Sequence, residues 1–332
     1  MEPVRVGVWG VGVWGEKHAR VYQALPEATL VGVFDLHGEH AAEVAASHAC
    51  RAFESAEAML AECEAVSIAV PTVAHREAAE RAAAAGVHAL VEKPMAPTVA
   101  DADAMIGAAR RAGVMLQVGQ VERFNPALVA ARPHIARPMF IEAHRLALFQ
   151  PRSLDIDVVF DLMIHDIDAV LDCVGASPAS VSAVGVAVMS RNEDIANARL
   201  EFADGCVANL TASRVSKERL RRIRFFQADA YIALDLSART GEMLRVERRQ
   251  PPPGAIGLAA AAPPVIRPVT LEVDEAEPLM RELAAFLGSL RGAGGGAAPA
   301  EAGRDALRVA QEVREAMRRR AQQWSIRTSV AS

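Results

Sequence analysis

A glycine pattern directly after a short apolar segment constrains the fold of this 332-residue chain most strongly. The five-residue word VGVWG occurs twice in succession, beginning at Val6. If "VRVGVW" is a strand, then Gly10, Gly12 and Gly15 form G-x-G-x-x-G at its end. Gly10 would allow a tight turn, Gly12 would leave room for phosphates, and Gly15 would let the next helix pack against the strand. Gly7 then lies within the strand and has no ligand role.

An acidic residue at the end of the second strand candidate supports this glycine register. The segment "LVGVFD" ends at Asp35, and a carboxylate about 20 residues past the glycines binds ribose hydroxyls in dinucleotide sites. A glycine pattern alone is also compatible with a simple tight turn, but strand, glycines, helix and acid together are specific. Leu36 and His37 follow instead of the Arg or Ser that a 2′-phosphate requires, which favours NAD over NADP.

The order of the apolar segments predicts an α/β fold with two domains. Up to about Gly119, β-branched runs without polar alternation are each followed by an alanine-rich helical stretch, which predicts a doubly wound parallel sheet. The later strand candidates follow one another with little helix between them, which favours a large, mainly antiparallel open sheet. We expect a Rossmann domain over 1–120. We expect an α+β domain for substrate binding and oligomerisation over 121–332, with C-terminal helices packing back toward the first domain.

Composition limits the kinds of partner. The net charge is −5, and no run of like charges is long enough to predict a nucleic-acid or membrane surface, so a small-molecule partner is expected. The four cysteines contain no C-x-x-C pair, which predicts reduced core residues rather than a zinc cluster or disulfide framework. The sequence shows no signal-peptide pattern and no run of about 18 apolar residues, so we expect a cytoplasmic protein.

Polar residues follow two further strand candidates. "LVEKP" places Lys93 at the end of the fifth strand candidate, where ligands bind in open α/β sheets, although a surface lysine is an equal alternative. "VPTVAH" places Pro71 and Thr72 after the fourth strand candidate, and His75 opens a helix there. His75 either contacts cofactor or substrate, or has a capping or packing role.

A carboxylate and an imidazole stand four residues apart on a predicted helix. Asp161 and His165 in "DLMIHD" share one helix face, so the carboxylate can orient the imidazole and make it a general base. A surface ion pair and a metal pair are the alternatives. No third ligand candidate is obvious, so we predict no metal. A metal site stays an alternative because three further aspartates are near in the sequence, namely Asp157, Asp166 and Asp168.

These motifs together resemble the glucose-fructose oxidoreductase, inositol dehydrogenase and MocA family. The resemblance rests on G-x-G-x-x-G-x-x-H from Gly10 to His18, Asp35, "VPTVAH", "EKP" and Asp-x-x-x-His, and it covers essentially the whole chain. It implies an NAD-dependent oxidoreductase acting on a CH–OH group, a homodimer or homotetramer formed through the open C-terminal sheet, and often a cis peptide bond before Pro94. It implies catalytic roles for Lys93, Asp161 and His165.

The family resemblance also implies the cofactor-binding residues. We expect this set to be Gly10, Gly12, Val13, Trp14, Gly15, Asp35, Val70, Pro71, Thr72, His75, Glu92, Lys93 and Gln120. Three positions depart from the common family pattern. Trp14 is bulky within the glycine loop, where it either covers the cofactor or packs under it, Thr72 replaces a frequent Asn, and Met163 replaces a frequent Gly.

Further stretches, including "VGQVERFNPA" and "DIANARLEFADGCVANLTASRVS", resemble one branch of this family, the UDP-N-acetylglucosamine 3-dehydrogenases. This resemblance implies oxidation of the sugar 3-hydroxyl, ahead of a transaminase, in making 3-amino sugars for lipid A. We expect substrate contacts from Arg123, Asn125, Arg152 and Arg214. Arginine suits forked contacts to a diphosphate, and Arg152 is the first candidate because it directly precedes the helix with Asp161 and His165. A solvated basic rim is the alternative.

Two other functions are compatible with the sequence. One is an NAD-dependent dehydrogenase of a free polyol such as inositol. The other is a regulatory protein that senses a nucleotide without turnover, against which the joint presence of Lys93, Asp161 and His165 argues.

Overall fold

The computed structural model describes residues 2–150, 156–247, 264–293 and 298–330, with side chains up to 324. The chain divides into two compact units. The first contains Met1–Phe124 and Ala276–Arg308, and the second contains Asn125–Glu275 and Val309–Ser332. This division differs from the two predicted ranges at 121–124 and at 276–308.

The described residues form both strands and helices. The strands are β1 (Val4–Trp9), β2 (Ala28–Phe34), β3 (Arg51–Ala52), β4 (Ala65–Ile68), β5 (His88–Glu92), β6 (Leu116–Gly119), β7 (Phe140–Leu148), β8 (Ser180–Val186), β9 (Ile195–Glu201), β10 (Val207–Ser216), β11 (Leu220–Phe226), β12 (Ala230–Asp235), β13 (Thr240–Glu247), β14 (Val265–Val269) and β15 (Ala298–Pro299). The α-helices are α1 (Val13–Ala24), α2 (Gly38–Ser47), α3 (Ala56–Leu60), α4 (His75–Ala84), α5 (Val99–Ala112), α6 (Pro126–Ala131), α7 (Ile164–Val174), α8 (Pro278–Leu290) and α9 (Ala300–Val330). Among these described helices, none is long and apolar enough to cross a bilayer.

The sheet of the first unit has the strand order β15-β6-β5-β4-β1-β2-β3. The pairs among β1 to β6 are parallel, and helices follow most of these strands, which confirms the predicted doubly wound parallel sheet. Strands β1 and β4 are neighbours in the sheet. Strands β2 and β3 extend the sheet on the side of β1, and the chain then crosses over to β4, from which β5 and β6 extend it on the other side. The loops after β1 and β4 therefore meet at the switch point, where ligands bind in such folds.

Packing explains Gly7, the glycine without a predicted ligand role. A Cβ atom at this position would lie 2.8 Å from Cys63 Sγ and 2.9 Å from Met59 Sδ. Its neighbours Val6 and Val8 are fully buried in β1. Glycine at position 7 thus lets α3 and the following turn approach the strand, which is a requirement of packing and not of ligand binding.

Helix α8 belongs to the core of the first unit. Its buried residues Leu279, Leu283 and Phe286 join the same cluster as Val21 and Tyr22 of α1. The glycine-rich segment "GAGGGAAPA" contains β15 near its end, and this strand pairs antiparallel with β6, so that part of the segment belongs to the sheet. Residues 294–297 of that segment lie outside the described residues.

The sheet of the second unit has the strand order β14-β13-β12-β11-β7-β10-β9-β8. Its neighbouring strands are antiparallel except for β7 and β10, which confirms the predicted large, mainly antiparallel sheet. Helix α7 packs on β7 and β10. Side chains alternate in β9, where Ala196, Ala198 and Leu200 are buried and the residues between them are exposed, so the opposite face of the sheet is open.

Candidate active site

The glycine loop after β1 meets three different physical demands. Gly10 has φ +85°, and a Cβ there would lie 2.7 Å from the backbone N of Val70. A Cβ at Gly15 would lie 1.8 Å from the carbonyl oxygen of Gly10, so α1 could not pack as it does. A Cβ at Gly12 would meet nothing within 4 Å. Gly12 therefore borders open space directly beside the start of the helix.

This open space is suited to an anionic group. Gly12 is the N-cap of α1 and makes no side-chain cap hydrogen bond, so the first N–H groups of the helix are available at its positive end. Such an N-terminus binds phosphate oxygens. The loop thus fits the pyrophosphate of a dinucleotide.

Trp14 lies on the surface of the first turn of α1. Its side chain is 39% exposed, and Lys17 Nζ lies 4.5 Å from the ring centroid. Val13, beside it, is 70% exposed. The tryptophan therefore does not pack beneath the loop, and covering the cofactor is the role still open to it.

Asp35 is fixed against the glycine loop. Its Oδ2 accepts a hydrogen bond from the Val11 N–H at 2.8 Å, and its Oδ1 accepts one from the His37 N–H at 2.9 Å. A carboxylate oxygen accepts more than one hydrogen bond, so both oxygens can still receive ribose hydroxyls. The structure thus brings the acidic residue to the loop, as the dinucleotide hypothesis requires.

His75 holds two loops together. Its Nε2 lies 2.8 Å from Val70 O, and its Nδ1 lies 3.0 Å from Pro94 O and 3.3 Å from Met95 O. The ring is 1% exposed, and burial lowers the pKa of His75 despite the hydrogen bonds to these carbonyls, which act in the opposite direction. Since both ring nitrogens face main-chain carbonyls, the geometry favours the packing role over a contact to cofactor or substrate. Pro71 and Thr72 precede it, and Thr72 begins a 3₁₀ turn.

Lys93 follows β5 at the same edge of the sheet. The Lys93–Pro94 peptide bond is cis, as the family resemblance implied. The backbone N–H of Lys93 donates to Glu92 Oε2 at 3.2 Å, and the Glu92 side chain is only 12% exposed. Lys93 itself is half-buried. Glu92 thus turns inward instead of facing a ligand.

The segment after β6 is largely buried. Gln120 is 2% exposed and Arg123 is 8% exposed, the latter within the 3₁₀ turn Val121–Phe124 of the first unit. Their predicted contacts to cofactor and substrate remain predictions.

In the second unit, Asp161 lies in a π-helical turn, Val159–Met163, that leads directly into α7. His165 is the second residue of α7, and the helix ends at Gly175, whose φ of 72° is typical of a glycine C-cap. Both side chains are half-buried. Turns of this kind are frequent at functional sites.

Buried carboxylates flank these two residues. Asp157 Oδ1 accepts from the N–H groups of Val159 and Phe160 at 3.0 and 3.2 Å, and burial raises the pKa of its carboxyl. Asp157 therefore caps the π turn. Among the described residues, no three His, Cys, Asp or Glu side chains are grouped as metal ligands.

A buried ion pair anchors α7 to the sheet. Arg145 of β7 donates from Nε to Asp166 Oδ2 at 3.0 Å and from Nη2 to Asp166 Oδ1 at 2.8 Å. Both side chains are at most 5% exposed. Because Asp166 directly follows His165, this forked contact fixes the turn of helix that presents the imidazole.

Arg214 is committed to internal contacts. It donates to Asp194 Oδ1, to Ile156 O and to Ser190 Oγ at 2.8, 2.8 and 2.9 Å, and it is 4% exposed. Burial alone would raise the pKa of Asp194, but the hydrogen bonds from Arg214 and from the backbone of Met189 and Ser190 hold it well below its usual range. The structure corrects the expectation of a diphosphate contact, because this guanidinium anchors the segment before the π turn.

Asn125 is also occupied structurally. Its Oδ1 accepts from the Ala127 N–H at 3.2 Å as the N-cap of α6, and its Nδ2 donates to Leu236 O at 2.9 Å. The substrate contact predicted for Asn125 is therefore replaced by a capping role. Arg152 lies outside the described residues.

Sequence reasoning gave no role to His18, although it ends the glycine motif. The imidazole is 1% exposed and contacts Glu92 Oε1 and Ser67 Oγ. The Arg145–Asp166 pair was also missed. The signal for both was a polar residue at a position of α1 or β7 that the apolar pattern assigns to the core.

Comparison with known proteins gives the family. The model described as "Oxidoreductase family, NAD-binding Rossmann fold" matches residues 4–120, and the GFO/IDH/MocA C-terminal domain model matches residues 136–232. The UDP-N-acetylglucosamine 3-dehydrogenase of Acidithiobacillus ferrooxidans is 42% identical over 317 residues, which are 95% of this chain and 97% of that enzyme. A solved structure of that enzyme has a TM-score of 0.86 at 41% identity and covers 95% of this chain and 98% of its own.

A more distant relative acts on a free polyol. The inositol 2-dehydrogenase of Rhizobium meliloti is 28% identical over 64% of this chain and 69% of that enzyme. Both domain models and the nearly full-length relative point to one group of proteins. The chain belongs to the Gfo/Idh/MocA oxidoreductase family, and its N-terminal domain is an NAD-binding Rossmann fold.

Proposed function

We propose that this protein oxidises the 3-hydroxyl of UDP-N-acetylglucosamine to the 3-keto sugar with NAD, and so prepares the sugar for amino transfer in 3-amino sugar and lipid A synthesis. The observation that carries this proposal is the 42% identity over 95% of the chain to an enzyme of that activity. The glycine loop after β1, Asp35 after β2 and Lys93 after β5 support it, because these residues follow strands of one parallel sheet and supply groups that this chemistry needs.

NAD bound at the glycine loop supplies the acceptor for the hydride that leaves C3 of the sugar. The N–H groups at the start of α1 would hold its pyrophosphate beside Gly12, and Asp35 would receive ribose hydroxyls. Trp14, exposed at the first turn, covers this region. Val70, Pro71 and Thr72 complete the proposed cofactor surface, with Gln120 as a further candidate.

We assign the proton chemistry to three side chains. His165 accepts the proton of the 3-hydroxyl as general base, and Asp161 orients the imidazole and stabilises the imidazolium. Lys93 donates a hydrogen bond to the same hydroxyl oxygen and stabilises the negative charge that develops on it, a contribution of roughly 3 kcal/mol. Arg145 and Asp166 hold the helix that carries His165.

The UDP group requires cationic partners. Arg214 is excluded by its buried contacts, and Arg123 is 8% exposed, so Arg152 remains the first candidate for the diphosphate. We expect Arg152→Ala to raise the Michaelis constant for the UDP-sugar with a smaller effect on kcat. An unchanged Michaelis constant would remove Arg152 from the proposed site.

The proposal includes a homodimer or homotetramer formed through the open face of the C-terminal sheet. Phe140, Phe226 and Tyr231 lie side by side on this face, with ring centroids 5.5 and 5.1 Å apart in the successive pairs. The alternate residues Ile141 and Phe225 are fully buried on the opposite face. An aromatic cluster on an open sheet face that also carries charged residues, such as Glu142 and Arg224, is typical of an interface core.

One assay separates the proposed substrate from the free-polyol and regulatory alternatives. Purified protein is incubated with NAD and either UDP-sugars or polyols, with a sugar-nucleotide aminotransferase to remove an unstable 3-keto product, and NADH is recorded. We expect NADH with UDP-N-acetylglucosamine and not with inositol. NADH with a polyol alone would support the polyol alternative, and tight NAD binding without any turnover would support a regulatory function.

Catalytic variants complete this test. We expect Lys93→Ala and His165→Ala to retain NAD binding and to lose turnover by at least about a hundredfold. Near-normal turnover of both variants would contradict the assigned roles.

A further inference from the structure

A buried chain of hydrogen bonds leads to the residue before Lys93. His18 of α1 lies with Nε2 2.9 Å from Glu92 Oε1 and with Nδ1 3.0 Å from Ser67 Oγ of β4. Tyr22, one helical turn further along α1, lies with its hydroxyl 2.8 Å from the same Ser67 Oγ. His18, Tyr22 and Ser67 are at most 1% exposed. Water therefore has little access to any of these groups.

The donors and acceptors fit one direction along the chain. In the tautomer with the proton on Nε2, His18 donates to the Glu92 carboxylate and accepts at Nδ1 from the Ser67 hydroxyl. Ser67 Oγ then accepts from the Tyr22 hydroxyl, and burial raises the pKa of Tyr22, so that this hydroxyl keeps its proton. Each of these groups thereby has a hydrogen-bond partner in the protein interior, where an unsatisfied polar group is destabilising.

Glu92 connects this chain to the lysine. Its Oε1 lies within hydrogen-bond distance of His18 Nε2, and its Oε2 accepts a hydrogen bond from the backbone N–H of Lys93 at 3.2 Å. The carboxylate lies over β6, where a Cβ at Gly119 would stand 2.9 Å from Oε1. Glycine at position 119 thus makes room for the inward orientation of Glu92. A carboxylate held in this way fixes the main chain at the point where Lys93 leaves β5.

We propose that His18 and Glu92 form a positioning relay, in which His18 fixes the Glu92 carboxylate and Glu92 fixes the backbone of Lys93, while Ser67 and Tyr22 satisfy the other ring nitrogen of His18. The relay sets the place of the Lys93 side chain without contacting substrate. This inference rests on the proposed function insofar as it concerns turnover, where a displacement of about 1 Å can cost about a hundredfold in rate. The relay assigns a role to the histidine that ends the glycine motif.

The variants His18→Gln and His18→Asn each place a neutral amide at position 18. Each variant can keep a different one of the two hydrogen bonds that the imidazole makes. In His18→Gln the amide nitrogen stands near the place of Nε2 and can donate to Glu92, but the contact to Ser67 is lost. In His18→Asn the amide stands near the place of Nδ1 and can reach Ser67, but the contact to Glu92 is lost. Both variants remove the ring, so a purely structural role for the imidazole predicts similar defects in both.

Positioning predicts different defects. We expect kcat of His18→Asn to fall by about 10- to 100-fold, with the dissociation constant of NAD and the Michaelis constant of the sugar within about twofold of wild type. We expect kcat of His18→Gln to stay within about threefold of wild type. Equal losses in both variants that follow their melting temperatures would overturn the proposal.

A spectroscopic measurement tests the relay without substrate. The chain contains only three lysines, Lys17, Lys93 and Lys217. Reductive methylation with ¹³C-formaldehyde therefore gives three dimethyl-lysine signals besides the amino terminus, and Lys93→Arg identifies the signal of Lys93. We expect this signal to move in His18→Asn and to keep its place in His18→Gln. The signals of Lys17 and Lys217 should be unchanged in both.

Glu92→Gln provides a second variant if His18→Asn does not fold. An amide at position 92 cannot accept from both His18 and the Lys93 N–H through two oxygens, so the Lys93 signal should also move. The relay would be overturned if the Lys93 signal stayed at its wild-type position in a folded variant that disrupts the contact between position 18 and Glu92. These variants are His18→Asn and Glu92→Gln. A wild-type protein without activity on UDP-N-acetylglucosamine would refute the proposed function alone, because the methyl-lysine comparison requires no turnover.

Discussion

The carbonyl oxygen of Gly10 lies where the side chain of any other residue at position 15 would begin, since a Cβ at Gly15 would stand 1.8 Å from it. Helix α1 therefore packs against the turn that ends β1 at the distance of direct backbone contact. Gly12, between these two glycines, borders open space instead. The three glycines of the motif thus serve different purposes, and substitutions can separate them.

We predict opposite defects for Gly15→Ala and Gly12→Ala. Gly15→Ala should destabilise the first unit by several kcal/mol, because helix and turn must move apart. Gly12→Ala should leave the free energy of unfolding within about 1 kcal/mol of wild type and weaken NAD binding, because its methyl group occupies the space for the pyrophosphate. Urea denaturation and a fluorescence titration with NAD measure the two effects. Tight NAD binding by Gly12→Ala would contradict the assigned place of the phosphates.

The buried pair of Arg145 and Asp166 should be sensitive to the loss of either partner. We predict that Arg145→Ala lowers the free energy of unfolding by about 3–5 kcal/mol, because it leaves a buried carboxylate without its forked partner. Arg199→Ala is the matched control, since it breaks a pair with Glu201 in which both side chains are about half exposed, and it should cost at most about 1 kcal/mol. Similar losses in the two variants would show that the buried pair has no special role.

The contact of Arg214 with Asp194 predicts a pH dependence of stability. The pKa of Asp194 is depressed in the folded protein, so its contribution is fully present above its unfolded pKa of about 3.9 and is lost as the pH falls below that value. The difference in unfolding free energy between wild type and Asp194→Asn should therefore be constant from about pH 5 to pH 7 and shrink below about pH 4. Other carboxylates with lowered pKa values are present in both proteins, so their contributions cancel in the difference of unfolding free energies. A difference that does not change with pH would contradict the ionised pair.

The open sheet predicts an oligomer that a single charge can disrupt. We expect Phe226→Glu to reduce the oligomer to monomers in analytical ultracentrifugation, because it introduces a charge beside Phe140 and Tyr231. Arg111→Glu, on an exposed position of α5 in the first unit, should leave the assembly unchanged. A wild-type monomer, or an intact oligomer of Phe226→Glu, would contradict an interface on this face.

The glycine loop, Asp35 and the two sheets could be predicted because each depends on local spacing along the chain. A turn after a strand requires its glycine whatever the rest of the fold, and hydrophobic periodicity distinguishes covered parallel strands from an open sheet. The cis bond before Pro94 was implied by the family resemblance and not by local spacing, and the structure contains it.

The partners of buried polar groups could not be predicted in this way. Arg214 meets Asp194 only because β10 lies beside β9, and Asn125 meets the Leu236 carbonyl from 111 residues away. Strand order determines such pairs, and the sequence pattern predicts strands without their order. The expected substrate contacts of Arg214 and Asn125 failed for this reason. For the same reason, the contact between His18 and Glu92, which joins α1 to the end of β5, could not be predicted.

The central claim is that the hydride leaves C3 of UDP-N-acetylglucosamine and reduces NAD. The most direct measurement uses this sugar nucleotide labelled with deuterium at C3, in the assay coupled to amino transfer, with mass spectrometry of the reduced cofactor. We predict singly deuterated NADH from the C3-labelled substrate and unlabelled NADH from a C4-labelled control. Unlabelled NADH from the C3-labelled sugar, or no NADH at all, would contradict the claim.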